Sequence, residues 1–291
     1  MKKVFALSVM LLVCANFCFA LEWKNLHEKA QITTLEEALS AVKNNSGSID
    51  DLYLLGLVYL DARRDREAKD IFNRILDASP QETAAKWGVA EVLRREHKLE
   101  ESENLLEELT ILSPGFAPAF ISRAYIRYTK MDFEGAIRYA QRAISIGKNK
   151  LDLGNYVRAY LMIAGSKGML AYYGGPFSKI FDGTAVFPML KKAESMQPDS
   201  PAVLFGLGSY YLLAPKFVGG NKEKAVEYLE KAVKLDPLFA DIYVRLAQAY
   251  KLKGDKDKYN IYLNKALEID PQNELALDIK NGSCRFICIG G

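Results

Sequence analysis

The sequence predicts an all-α protein, a solenoid of stacked antiparallel helix pairs. Three observations carry that prediction. Prolines recur 34 residues apart, at Pro80 and Pro114 and again at Pro237 and Pro271. Each closes a stretch of helical periodicity, as expected of a residue that cannot continue a helix. Between the prolines, small and aromatic residues recur in register, and a fixed period of this length marks stacked helix pairs rather than one globular core.

In chain order, Lys2 and Lys3 precede the apolar run Val4 to Val13, and Cys18-Phe19-Ala20 places small residues where a signal peptidase inspects them. Residues 1–20 are therefore expected to be a cleaved secretion signal. The apolar run is short for a bilayer span, and Leu21-Glu22-Trp23-Lys24 follows at once. The alternative is a membrane-anchored lipoprotein, because Leu11-Leu12-Val13-Cys14 has the outline of a lipobox, with Val13 where a smaller residue is expected. Cleavage removes Lys2 and Lys3 and lowers the formal net charge of +3 by two. A near-neutral mature chain has no electrostatic footprint for nucleic acid or an anionic membrane. With 49% apolar and 26% charged residues, the composition excludes disordered and collagen-like classes.

Residues 21–48 form an amino-terminal capping region, with a capping helix over Thr34 to Asn44. Residues 49–273 hold about six helix pairs. The clearest runs from Ala240 to Asn273, with Tyr243, Leu246, Ala247 and Tyr250 in its first helix, Gly254-Asp255 at the turn, and Leu263, Ala266 and Pro271 in its second. This pattern resembles the tetratricopeptide repeat, which sets small residues where two helices approach closely. The unit Ile49–Glu82 repeats it with Leu55, Gly56, Tyr59, Ala68, Phe72 and Pro80. Thr83–Phe116 keeps Ala90, Leu106 and Pro114 but has Ser102 where alanine is expected; Ala117–Lys148 carries Lys148 in place of the closing proline. The units Leu151–Ser200 and Pro201–Phe239 hold insertions, near residues 172–185 and 214–221. Residues 274–291 are a carboxy-terminal cap and tail. The resemblance implies a right-handed superhelix.

Catalytic and metal chemistry find little support. His27 and His97 have no second ligand at a recognised spacing and read as surface residues. Runs such as Glu100-Glu101-Ser102-Glu103 read as a solvated helix face. Gly219-Gly220 lacks the Lys-Ser/Thr ending of a phosphate loop, and Asn221 is placed to cap a helix starting at Lys222. Gly174-Gly175-Pro176, flanked by Tyr172, Tyr173, Phe177 and Phe181, is either packed on its own repeat or a ligand lip. Cys284 and Cys288, the pair left after signal removal, would stand about 13 Å apart on an extended strand and can bridge only through a turn or helix. A link to another chain and two buried thiols are the other outcomes. The expectation is a protein with no cofactor, no bound metal and no enzymatic activity.

The resemblance implies a binding function, since tetratricopeptide proteins generally hold partners through their first helices. The leading expectation is an exported bacterial interaction scaffold, periplasmic or secreted, that binds a protein or peptide segment in a concave groove. The corresponding positions are Tyr53, Leu57, Trp87, Glu91, Arg94, Tyr125, Tyr128 and Phe205. Rigid aromatics with an arginine are the residue types that anchor partners. The family's carboxylate-clamp variety fits poorly, because Tyr53, Trp87 and Ile121 stand where it wants basic residues or their helpers. An apolar ligand segment is expected instead. The alternative function is a small-ligand or transporter accessory protein, because the glycine-pair insertions are similar to those of the T component associated with tripartite ATP-independent periplasmic (TRAP) transporters. Intact-mass measurement of the mature protein checks export: a chain starting at Leu21 is expected, and a lipid on Cys14 or Cys18 would replace cleavage with anchoring.

Overall fold

The computed structural model describes residues 23–44, 47–283 and 285–287. Among these residues the chain forms fifteen α-helices and one 3-10 turn, with no strand. It divides after Gly88 into two compact units.

The first unit holds α1 (Trp23–Ala30), α2 (Leu35–Asn44), α3 (Ile49–Asp61), α4 (Asp65–Ala78) and the start of α5 (Thr83–Arg95). Thr34 and Glu37 open α2 as a reciprocal capping box: the Glu37 amide donates to Thr34 Oγ1 at 3.2 Å, and the Thr34 amide to Glu37 Oε2 at 2.8 Å. Ser48 Oγ accepts from the Asp51 amide and caps α3. The Phe72 ring is fully buried between two glycines. A Cβ at Gly56 or at Gly88 would come within 2.4 Å of that ring, so both positions demand glycine.

The second unit holds the end of α5, then α6 (Leu99–Leu112), α7 (Ala117–Thr129), α8 (Phe133–Ser145), α9 (Leu153–Tyr173), α10 (Pro176–Met196) and α11 (Pro201–Leu213). The 3-10 turn Lys216–Val218 leads into α12 (Lys222–Leu235), α13 (Ala240–Leu252), α14 (Lys256–Ile269) and α15 (Glu274–Lys280). The small-residue positions behave as close contacts. Ser102, which replaces an alanine, is fully buried and donates from Oγ to the Ala90 carbonyl at 2.7 Å, so its hydroxyl carries no unmet polar cost. A Cβ at Gly208 would sit 2.6 Å from Leu229 Cγ.

The turns within pairs share one device. Arg63, His97 and Met131, each 34 residues from the next, all adopt left-handed φ of 57° to 65°, and Gly254 does the same at 78°. In each case the next amide closes back onto the helix, as in Arg64 N–H to the Tyr59 carbonyl at 2.9 Å and Lys98 N–H to the Leu93 carbonyl at 2.9 Å. This is the Schellman closure of a helix carboxy terminus.

The insertion near residues 172–185 is almost entirely helical. α9 and α10 are each 21 residues long, and Gly174-Gly175 is the whole turn between them. The additional residues therefore lengthen both helices. The segment 214–221 instead holds the 3-10 turn, with Gly219 at φ 99°, and Asn221 Oδ1 accepts from the Lys224 amide at 2.9 Å to start α12. Where Lys148 replaces a proline, Gly147 at φ 111° ends the unit.

Leu190, Leu207, Leu229 and Leu246 anchor one core cluster across α10 to α13. Each such burial stabilises by about 1.5–3 kcal/mol. A second cluster joins Phe133, Met169, Val244 and Ala276 to Phe286 of the tail. Ala68, Ala225, Ala232 and Ala266 have no exposed surface. Enlarging Ala225 or Ala266 to leucine should lower stability by about 1–3 kcal/mol through overpacking. Lys256→Ala, on an exposed position, should change it by under about 0.5 kcal/mol. Urea midpoints check both, and unchanged midpoints for the two leucine variants would refute the register.

Candidate binding faces

In the first unit, the first-helix face of α3 and α5 is covered by α1. His27 Nε2 shares a 2.8 Å hydrogen bond with the Tyr53 hydroxyl, and its ring lies 5.2 Å from that of Trp87. Trp23 meets His27 edge-on at 5.7 Å. Tyr53, Leu57 and Trp87 are consequently buried rather than displayed, and His27 is buried too, against the surface placement expected of it. The physical reason is self-occupancy. The amphipathic helix α1 covers the aromatic face, and the helical spacing within α3 and α5 gives no sign of what lies on top of it.

In the second unit, Glu91 is the centre of a buried charge cluster. Arg94 Nη2 and Nε donate to its carboxylate at 2.6 and 3.0 Å, Arg95 Nε at 3.4 Å and Ser122 Oγ at 2.9 Å. Burial alone would raise the Glu91 pKa. The charge and hydrogen bonds of Arg94, with Arg95 and Ser122, outweigh it and hold the carboxyl well below the usual range. The Arg94 guanidinium lies 4.0 Å over the centre of the Tyr125 ring, a cation–π contact. Burial, and then the field of Asp241, pushes the Tyr125 hydroxyl up. Glu91, Arg94, Tyr125 and Ser122 thus form one largely buried polar cluster on α5 and α7.

His97 is the second departure from the surface placement. Its Nε2 lies 3.0 Å from Asp270 Oδ1 and its Nδ1 3.0 Å from Glu274 Oε1, so the imidazolium bridges the start of this unit to its last helix pair. Hydrogen bonds to Asp270 and then Glu274 raise its pKa from 6.5 to about 10. Asp241, pushed up by burial, accepts from Asn273 Nδ2 at 2.6 Å.

Tyr128 and Phe205 are both half-buried. Phe205 packs against Phe239 at 5.2 Å, at the edge of the core cluster. Tyr128 stacks on Phe286, with ring centroids 5.9 Å apart and an interplanar angle of 21°. Phe286 belongs to the tail, which lies on the first helices of this unit. Asp278 accepts from Ser283 Oγ at 2.5 Å, the Phe286 amide at 2.8 Å and Arg285 Nε at 3.4 Å. The Tyr173 hydroxyl donates to the Arg285 carbonyl at 2.6 Å, and Gln248 Nε2 to the Ile287 carbonyl at 2.9 Å. Burial works against the charged Asp278, but its hydrogen bonds, led by the Phe286 amide, hold its pKa low. The apolar character of the tail is visible in the sequence; its docking on residues from α7, α9 and α13 is not, because those contacts span 39 to 158 positions. Cys284 and Cys288, the candidate disulfide, lie outside the described residues.

Apolar side chains are displayed at several places, among them Phe217 at 89% exposure and the neighbours Ile111 and Leu112. At the α9–α10 tip, Phe177 is 78% and Phe181 70% exposed, with Tyr172 and Ile180 beside them. Among the described residues, no three His, Cys, Asp or Glu side chains are grouped to hold a metal ion, and no helix is long and apolar enough to cross a membrane.

Residues 179–282 match the family model of the TRAP transporter T-component, and residues 53–117 match that of the tetratricopeptide repeat. No curated protein sequence matches the chain. Among solved structures, a tetratricopeptide repeat protein from Parabacteroides merdae is 14% identical, with a TM-score of 0.52 over 89% of this chain and 98% of that one. Human IFIT1, solved as a dimer with m7Gppp-AAAA, is 16% identical, with a TM-score of 0.58 over 87% of this chain and 58% of that one. A chain of the APC/C hetero-tetramer Cut9–Hcn1 is 17% identical, with a TM-score of 0.56 over 88% and 47%. At such identities the likeness is one of fold, and the fold is a helical repeat of the tetratricopeptide type.

The His97 bridge sets a pH dependence. Its raised pKa means that the stabilisation is fully present below pH 6.5 and is lost as pH rises towards about 10. The loss should be roughly 1–2 kcal/mol once solvent screening of a partly exposed pair is allowed for. Chemical denaturation at pH 6 and pH 10 measures it, and His97→Gln should remove most of that difference. An equal pH dependence in the variant would contradict the bridge.

Proposed function

We propose that this chain is an exported interaction scaffold that acts by binding rather than by chemistry and holds apolar segments on the first-helix faces of its repeats. The observation that carries it is that both units already hold a segment there, α1 across Tyr53 and Trp87 in one and the tail across Tyr128 in the other. A face that orders a helix and a short tail by aromatic contacts and main-chain hydrogen bonds has the chemistry of segment recognition. The tetratricopeptide match over residues 53–117 agrees with it, since proteins of this repeat are generally non-enzymatic scaffolds. Export rests on the signal anatomy of residues 1–20.

A second function, an accessory protein of a TRAP transporter, is favoured by the family match over residues 179–282. It would place a small ligand inside the second unit. Native mass spectrometry of the purified protein, with a small molecule retained, is its test.

For the scaffold, the exposed-face variants differ from the core variants. Trp87→Ala is unsuitable as a probe, since deleting a buried tryptophan costs about 3–5 kcal/mol. Tyr125 is half-buried and stacked on Arg94. Tyr125→Ala should reduce cross-linked capture of the envelope partner at least about tenfold, the loss of a hot-spot aromatic, with helical content kept. Phe177→Ser with Phe181→Ser should leave capture unchanged. Capture that survives Tyr125→Ala but is abolished by the tip variant ends the first-helix-face proposal.

A further inference from the structure

The tail of the second unit is held by a site that recognises backbone. Gln248, Tyr173 and Asp278 stand on three different helices, and each directs a polar group at the main chain of residues 285–287. Gln248 donates to one carbonyl, Tyr173 to another, and the Asp278 carboxylate accepts the amide between them. The Gln248 amide is itself oriented: Arg245 Nη1 donates to its Oε1 at 2.7 Å, which turns Nε2 towards the Ile287 carbonyl. Arg245 and Gln248 are both buried, so this arrangement is built into the folded unit.

Main-chain contacts accept any sequence, and the side chains set the preference. Phe286 is 5% exposed, stacked on Tyr128 and packed in the cluster that contains Phe133 and Met169. Its neighbour Arg285 places Nε 3.4 Å from Asp278 while its side chain stays about half exposed, a contact that favours a cation weakly. Ile287 packs on the same cluster. The hinge to α15 is Asn281-Gly282-Ser283, with Gly282 at φ 68°.

We propose that this site is a docking site for a partner protein's segment with the order basic, aromatic, aliphatic, and that the tail occupies it in cis as a displaceable stand-in. The assignment rests on the scaffold function proposed above and names the chemistry of its partner. A tethered occupant competes at high effective concentration, so a partner segment must bind the vacant site well to displace it. Its apparent affinity is reduced by the fraction of molecules whose site is free.

The probe is a fluorescein-labelled synthetic peptide of residues 281–287 carrying Cys284→Ser, titrated by anisotropy into the full chain. The Phe286→Ala protein, whose site has lost its aromatic occupant, should bind it at least about tenfold more tightly than wild type does. A peptide with Phe286→Ala should bind that protein at least about tenfold more weakly. Adding Gln248→Ala to the protein should weaken binding further. A Phe286→Ala protein that keeps the wild-type melting midpoint yet ignores the peptide, or binds both peptides alike, overturns the site. Hydrogen exchange on the wild-type protein covers the case of a misfolded variant: excess unlabelled peptide should accelerate exchange at residues 285–287, and unchanged exchange at saturating peptide overturns the proposal. Failure here with Tyr125-dependent capture intact removes this site alone, whereas loss of that dependence removes the scaffold function itself.

Discussion

Close approach of helix backbones is the constraint on which each unit depends. One helix pair of this kind cannot bury its apolar stripe by itself, and neighbouring pairs supply the missing cover only if their axes come near. Gly56 and Gly88 leave room for the Phe72 ring, Gly208 leaves room for Leu229, and Ser102 fits a position for a small residue by satisfying its hydroxyl on the Ala90 carbonyl. The glycines add no side-chain burial of their own. Their contribution is geometric, since any Cβ at these positions would separate the layers and remove dispersion contacts from both.

Once the layers close, charges in the second unit are taken out of water, and pairing decides whether they are tolerated. Glu91 with Arg94, Arg95 and Ser122 is a compact answer. Its carboxylate receives four donors. Such a cluster is weak evidence for added stability, because desolvation offsets most of the attraction, yet removing one partner leaves a buried charge exposed to the full penalty, about 3–5 kcal/mol. Its structural consequence is positional. Arg94 is held where it stacks on the Tyr125 ring. His97 works differently, as a charged bridge between the unit's first turn and Asp270 and Glu274 of its last pair.

The faces left by this packing carry aromatic residues, covered by α1 in the first unit and by residues 285–287 in the second. α1 uses His27 as the joint between Tyr53 and Trp87. The tail uses Phe286 on Tyr128 and leaves its polar backbone to Asp278, Gln248 and Tyr173. An aromatic face without an occupant would be an exposed apolar patch, which soluble proteins rarely keep except at sites of interaction. The α9–α10 tip does keep one, with Phe177 and Phe181 largely in solvent.

The repeat was legible because its determinants are local and periodic. The 34-residue spacing of prolines, the small residues at Ala68, Ala225, Ala232 and Ala266, and the cap at Asn221 all act within one or two turns of helix, so the sequence alone determines the all-α repeat and most of its register. The left-handed residues Arg63, His97 and Met131 follow the same period, but no side-chain preference at those positions announces a positive φ. Only the tertiary structure decided that the insertion after residue 172 lengthens two helices, that both histidines are packed, and that Tyr53, Leu57 and Trp87 lie beneath α1. Helical periodicity tells which side of a helix is apolar. It does not tell whether the cover is a neighbouring repeat, the chain's own end or a partner, because that choice is made by contacts between residues far apart in sequence.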